Sequence, residues 1–373
     1  MLQLARLETS LFILALSIFS IFSSASEGAE SASYLIAKES GTPPTNVPSI
    51  RENDGSLFMD TFRAFIDIDR DGKVELFAFT TRYNLKHSRQ TAPLAVFRFY
   101  SRKGSGWREL SGIIENPQDT CLHPREAAVA DFNSDGRPDL FVACHGWDAN
   151  PWPGERNKVV LSQPSGTYRI ADAGKDVGFF HSVAAADFNS DGKMDVVLTN
   201  NFAKQQVQVF LGNGKGTFRS TSRYMPSSVR KTGPFFTVEL PDIDGDGDFD
   251  LFVAGHDWDG AETAVHINPG NMRFSDRSKI RIPAIKGYGV VLDAVATEKD
   301  GDHFLWILRT TGGDGKYYNG NLVQRLNLQT GESKIVANNT RGHWSPSLIV
   351  WTQGGQTYVG SDDKRSVISP LRH

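Results

Sequence analysis

Four times in this chain an aspartate opens a nine-residue run with oxygen-bearing side chains at positions 1, 3, 5 and 9 and glycine at position 6. The runs are 67–75, 131–139, 187–195 and 242–250, and each leads straight into an apolar stretch such as Leu140-Phe141-Val142-Ala143. Alternate residues of a tight loop point inward, so this spacing aims several oxygens at one point. A hard cation such as Ca²⁺ takes six to eight oxygens at about 2.3–2.6 Å from carboxylates, amides and carbonyls. The glycine permits the sharp turn because it reaches positive φ without steric cost. The first aspartates stand at 67, 131, 187 and 242, in near-constant steps, and a period of this size marks stacked or radial repeats.

The order within a repeat is strand, acidic loop, strand, long connection, strand, turn, strand. In the first repeat the strands fall at 57–65, 76–79, 94–100 and 107–110; in the third, Gly212-Asn213-Gly214-Lys215-Gly216 has hairpin-turn chemistry. A fifth repeat shows strands at 290–295 and 304–308, but the acids between them lack the spacing, so no metal is expected there. Residues 347–370 hold up to three more strands. Four antiparallel strands per repeat predict an all-β fold, a β-propeller of four-stranded blades. Six blades are expected, the last completed by an N-terminal strand near Leu35-Ile36, with seven as the alternative.

Residues 1–25 read as a signal peptide, with Arg6, an apolar core at 11–22 and a cut after Ala25. That core is too short for a bilayer helix, which needs about 20 apolar residues. Residues 26–55 form a polar, proline-bearing linker, and 56–373 the propeller. The protein is therefore expected to be secreted or extracytoplasmic (periplasm or cell surface) and monomeric, without a stable membrane span after cleavage. Net charge is −3, and no basic run marks a nucleic-acid binder. Cys121 and Cys144 flank the strands of the second acidic loop, where antiparallel neighbours could bridge them; two buried thiols are the alternative.

The four units fit the pattern D-x-[DN]-x-D-G-x-x-D, with Glu75 ending the first, and resemble the FG-GAP/VCBS repeat family, whose best-known members form the propeller of integrin α subunits. The resemblance covers about residues 57–275 well. It implies about four calcium sites: Asp67, Asp69, Asp71 and Glu75; Asp131, Asn133, Asp135 and Asp139; Asp187, Asn189, Asp191 and Asp195; Asp242, Asp244, Asp246 and Asp250. The EF-hand needs a glutamate at position 12 between two helices, whereas position 12 here is Ala78, Val142, Leu198 or Val253. Calcium at such turns is expected to hold structure, since clustered carboxylates repel one another without a counter-ion.

A second pattern lies 14 to 17 residues after each first aspartate. Two repeats carry His145-Gly146-Trp147-Asp148 and His256-Asp257-Trp258-Asp259 there, on loops expected at one rim. Trp147 and Trp258 could stack on a flat ligand while His145, Asp148, His256 and Asp259 bond its edge. The competing reading packs both tryptophans between blades, with His and Asp capping the turn. His123, His145, His181 and His256 are candidate acid/base groups, but no G-x-S-x-G, H-E-x-x-H or P-loop is present. The expectation is a non-catalytic binding or adhesion module for an extracellular glycan or protein. The alternative is a polysaccharide-active lyase or hydrolase on the same scaffold, since fold does not dictate activity.

Overall fold

In the computed structural model the described residues run from 61 to 360, apart from 83–86, 105, 202, 222, 232, 300–301, 313–316, 340–343 and 354–355. The expected signal peptide, the linker with its strand at Leu35-Ile36, and the strand at Ser366-Val367-Ile368 lie outside them.

The first blade holds β1 (Thr61–Ile66), β2 (Glu75–Thr80), β3 (Val96–Lys103) and β4 (Gly106–Glu109), hydrogen-bonded in that order. The second holds β5 (Pro124–Ala130), β6 (Asp139–Cys144), β7 (Glu155–Ser162) and the leading half of β8 (Tyr168–Ala186). The trailing half of β8 opens the third blade, with β9 (Asp195–Asn201), β10 (Val207–Gly212) and β11 (Phe218–Thr221). The fourth holds β12 (Phe235–Glu239), β13 (Leu251–Gly255), β14 (Ala264–His266) and β15 (Lys279–Arg281). The fifth holds β16 (Val290–Lys299), β17 (Asp302–Thr310), β18 (Asn321–Asn327) and β19 (Ser333–Asn339). β20 (Ile349–Gln353) and β21 (Gln356–Gly360) pair as a two-stranded sheet where the sixth blade is expected.

All pairs within blades are antiparallel. The opening strands β1, β5, trailing β8, β12 and β16 neighbour one another in that order, so the blades stand around a common axis with these strands innermost. This is a β-propeller. The core lies between blades. Phe77 and Phe99 of the first blade pack with Leu140 and Cys144 of the second, Phe141 with Phe180 and Phe218, and Val197 with Val238 and Val253. The second strands β2, β6, β9 and β13 are buried along their whole length, as sheets covered on both faces must be.

Two features go beyond the expected pattern. β8 is one 19-residue strand that serves two blades. Gly178 marks the crossing: a Cβ there would fall 2.6 Å from the Asn200 side chain, so only glycine lets the backbone pass so close. Cys121 and Cys144 are joined in a disulfide that ties the entry of β5 to the end of β6.

Candidate functional site

Each acidic run forms the turn between the first and second strands of its blade, with strands rather than helices on both sides. Position 4 adopts left-handed backbone in every one (Arg70, Ser134, Ser190, Gly245), as does the glycine at position 6. This geometry folds the position 1 carboxylate back over the loop: Asp67, Asp131, Asp187 and Asp242 each accept the N–H of the position 6 glycine at 2.7–3.0 Å. Carboxylate oxygens of Asp67, Asp69 and Asp71 lie within 4.8 Å of one another, and so do those of Asp242, Asp244 and Asp246. Such donor sets could hold a hard divalent cation.

Position 9 has a further task. Asp139 accepts N–H groups from Phe132 at 2.9 Å and Ser162 at 2.7 Å, and Asp195 accepts from Phe188 and Gly212. Asp250 accepts from Ile243 and Asn268, and Glu75 from Ile68. These carboxyls thereby fasten the turn to its own second residue and, in the second to fourth blades, to the end of the third strand. Burial, with the nearby loop carboxylates adding, pushes Glu75 and Asp195 up to about 7 and Asp139 and Asp250 up to about 6.

The opposite end of the blades carries the second constellation. His145 and His256 follow the second strands of their blades and come to one face through a chain of rings. His145 lies 5.1 Å from His181, His181 4.6 Å from Phe236, and Phe236 4.8 Å from His256. His145 also stacks on Phe179 at 4.2 Å and meets His123 edge-on at 4.6 Å. Beyond His256 the chain continues to Tyr317 and Tyr318, and Tyr318 packs on Trp344 at 5.0 Å.

The inner strands build this face by a repeated device. The register of β5, trailing β8, β12 and β16 slips at Arg125, at His181–Ser182, at Phe236 and at Leu292. A β-bulge leaves its extra residue unpaired and re-aims it. Arg125, His181 and Phe236 all stand six residues before the first aspartate of their loop (131, 187, 242), an offset that alignment on the acidic runs would have exposed. Tyr317, Tyr318 and Trp344 carry no such signal; they belong to connections outside the four motif-bearing repeats.

Asp148 pairs with Arg125 at 3.6 Å. Asp259 accepts from His256 Nδ1 at 2.9 Å and from the Tyr317 hydroxyl at 3.2 Å. Trp258 lies over Gly289 at the entry to the fifth blade yet stays 46% exposed, so it both packs and faces outward. Trp147 is half-buried in the β6–β7 loop. Asp257 is drawn inward instead, to the buried Arg309 guanidinium at 2.5 Å.

Burial, reinforced by the Arg125 charge, holds His145 and His181 neutral; the same causes depress His123 to about 3. Further along the inner strands stand Glu126, Glu239 and Asp293. Burial, then the Asp293 charge, pushes Glu126 up to about 8, and burial with Glu126 raises Glu239 well above the carboxylate range. A carboxyl raised in the fold stabilises it below the ordinary carboxylate pKa and loses that effect as pH rises to the folded value. Unfolding free energy at constant calcium is therefore expected to fall between about pH 4.5 and 8, by up to about 1 kcal/mol per pH unit per group. Glu126→Gln should flatten that slope in urea titrations; an unchanged slope would remove Glu126 from the account.

A family description, FG-GAP-like repeat, matches residues 131–198 and 187–253, the second to fourth acidic turns with their strands. Residues 131–253 are similar to FG-GAP-like repeats. These repeats supply the scaffold, and the ring-lined face is set at the end of the blades away from the repeat signature. No curated protein matches the chain. Among solved structures, a putative 6-phosphogluconolactonase from Bacteroides uniformis ATCC 8492 is 12% identical with TM-score 0.46, over 82% of this chain and 81% of that one. A mutant Trypanosoma rangeli sialidase displaying trans-sialidase activity is 10% identical with TM-score 0.44, over 85% and 55%. An exo-1,5-alpha-L-arabinanase from a bovine ruminal metagenomic library is 11% identical with TM-score 0.38, over 74% and 98%. Likeness at this level carries no argument about activity.

Proposed function

We propose that this protein is a secreted, calcium-stabilised, monomeric binding module that takes an extracellular glycan at its ring-lined face. The observation that carries the reading is a set of buried polar atoms without hydrogen-bond partners among the described residues: Arg125 Nε, His145 Nε2, His181 Nδ1 and Asn201 Oδ1. Buried polar groups are nearly always satisfied, so several on neighbouring elements of one face call for a ligand that supplies the missing partners. A sugar offers donors and acceptors around its edge and an apolar face for rings. Trp258, Tyr317 and Tyr318 are exposed, and both tyrosine rings pack against His256. The acidic turns and the disulfide support a role outside the cell, where millimolar calcium and an oxidising environment prevail.

Turnover of the glycan is the second reading. It is favoured by carboxyls raised by burial, Glu126 of β5 and Glu239 of β12, on the inner strands either side of β8 with its neutral His181, a combination that can donate and accept protons. Neutral and uronate-bearing oligosaccharides, titrated calorimetrically in calcium, test both. Saturable binding weakened about tenfold by Tyr318→Ala and by Trp258→Ala, a loss of about 1.4 kcal/mol each, supports the module. Shortened products in the same samples support the enzyme. Absence of binding by any glycan, or binding by both variants as tight as that of the unsubstituted protein, refutes a glycan site here.

A further inference from the structure

His123, His145 and Asp148 offer a second kind of metal chemistry, distinct from the oxygen-lined turns. One ring nitrogen from each histidine and a carboxylate oxygen of Asp148 lie within 4.8 Å of one another. The tautomer of His145 is fixed by its surroundings. Its Nδ1 is 2.8 Å from the Gly146 carbonyl, which can only accept, so Nδ1 carries the proton and Nε2 carries a lone pair. That Nε2 is buried in a wholly buried side chain and has no hydrogen-bond partner among the described residues. A histidine anchored through one nitrogen to a backbone carbonyl, with the other left bare, is the arrangement metal-bound histidines adopt.

The scaffold holds the donors in place. His123 immediately precedes β5 and His145 immediately follows β6, and the Cys121–Cys144 bridge clamps the residues next to them. Glu155 fixes the same corner by accepting the N–H groups of Leu122, His123 and Gly146 at 2.9–3.0 Å. Gly146 takes positive φ, and a Cβ there would meet the Gly154 backbone at 2.7 Å, so the loop returns tightly enough to carry Asp148 back over the histidines.

We infer that His123, His145 and Asp148 form a site for a divalent transition ion of the zinc class in the ring-lined face. Two imidazoles and a carboxylate are a borderline-soft set that suits zinc over calcium, whose ligands are oxygens. Three protein ligands leave a fourth position open toward the face, where water or a ligand oxygen binds. Arg125 opposes the ion: its guanidinium is held on Asp148 and adds a like charge. The site does not depend on which glycan, if any, the face accepts.

Zn²⁺ titrated into the full chain in excess calcium tests the inference. One zinc per chain is expected, weakened tenfold or more by His145→Ala and by Asp148→Asn, and tightened several-fold by Arg125→Met. Because His145 is buried and its variant could unfold, Asp148→Asn carries the test independently; its side chain is 42% exposed. Co²⁺ in place of zinc should show the absorption of an imidazole-ligated, four-coordinate ion. No saturable zinc binding, or binding indifferent to all three substitutions, overturns the site.

Discussion

Removing calcium with a chelator is expected to lower the melting temperature on the order of 10 °C, and restoring millimolar calcium to recover it. The estimate follows from linkage. At about 2 mM Ca²⁺ and a Kd of about 10⁻⁴ M, each site contributes roughly 1–2 kcal/mol, so four contribute about 4–8 kcal/mol. Each kcal/mol is worth about 2 °C or more in a domain of a few hundred residues. The cause is local. In the first and fourth turns three carboxylates gathered within 4.8 Å repel one another, and a bound ion would remove that repulsion at the turn joining the two inner strands of a blade. The turns also touch across blades, since Arg70 of the first donates to the Gly136 carbonyl of the second at 2.7 Å. Asp135→Ala should weaken the second site and leave the other three. Scanning calorimetry checks both, and a melting curve indifferent to chelation would reject structural calcium.

Arg309→Leu is expected to cost about 3–5 kcal/mol of unfolding free energy, because it strands a buried carboxylate. Arg309 is wholly buried in β17, where Nε donates to Gln324 at 2.8 Å and Nη1 to Asp257 at 2.5 Å and the Tyr288 carbonyl at 3.3 Å. Asp257 is itself 4% exposed and holds Thr263 through its other oxygen. The pair thus locks the loop bearing His256 and Trp258 onto the fifth blade. Pairing Arg309→Leu with Asp257→Asn should recover part of the loss, since no charge is then left unmatched. Urea unfolding measures both; a loss below about 1 kcal/mol would mean that Asp257 finds another partner or takes up a proton.

The acidic turns were legible in the sequence because a turn of this kind needs particular residues at fixed offsets. Left-handed backbone at position 6 demands glycine, and inward-pointing oxygens demand alternation. The blades were legible through the same period, down to the fifth, where strands were expected and β16 and β17 pair antiparallel. The pairing of His145 and His256 on one face was only half legible. Their common offset put them on one rim, but nothing in the residues announced the bulges that carry Arg125, His181 and Phe236 between them. A bulge costs one extra residue and leaves no compositional trace. The continuous β8 was hidden for a similar reason: a strand that changes partners midway reads as two strands with a break at Gly178. Tyr317, Tyr318 and Trp344 come from segments without the repeat motif, and only tertiary packing joins them to the histidines.

The proposed function requires that the face gathering rings from three successive blades act as a single ligand site. Nitrogen NMR of the imidazole rings, recorded while a bound oligosaccharide is titrated in, reads that face directly. The account predicts that the resonances of His145, His181 and His256 move together with one saturation curve, while His303, beside the turn at Gly245, stays still. Movement confined to a single histidine, or shifts at His303 with the other three unmoved, would contradict it.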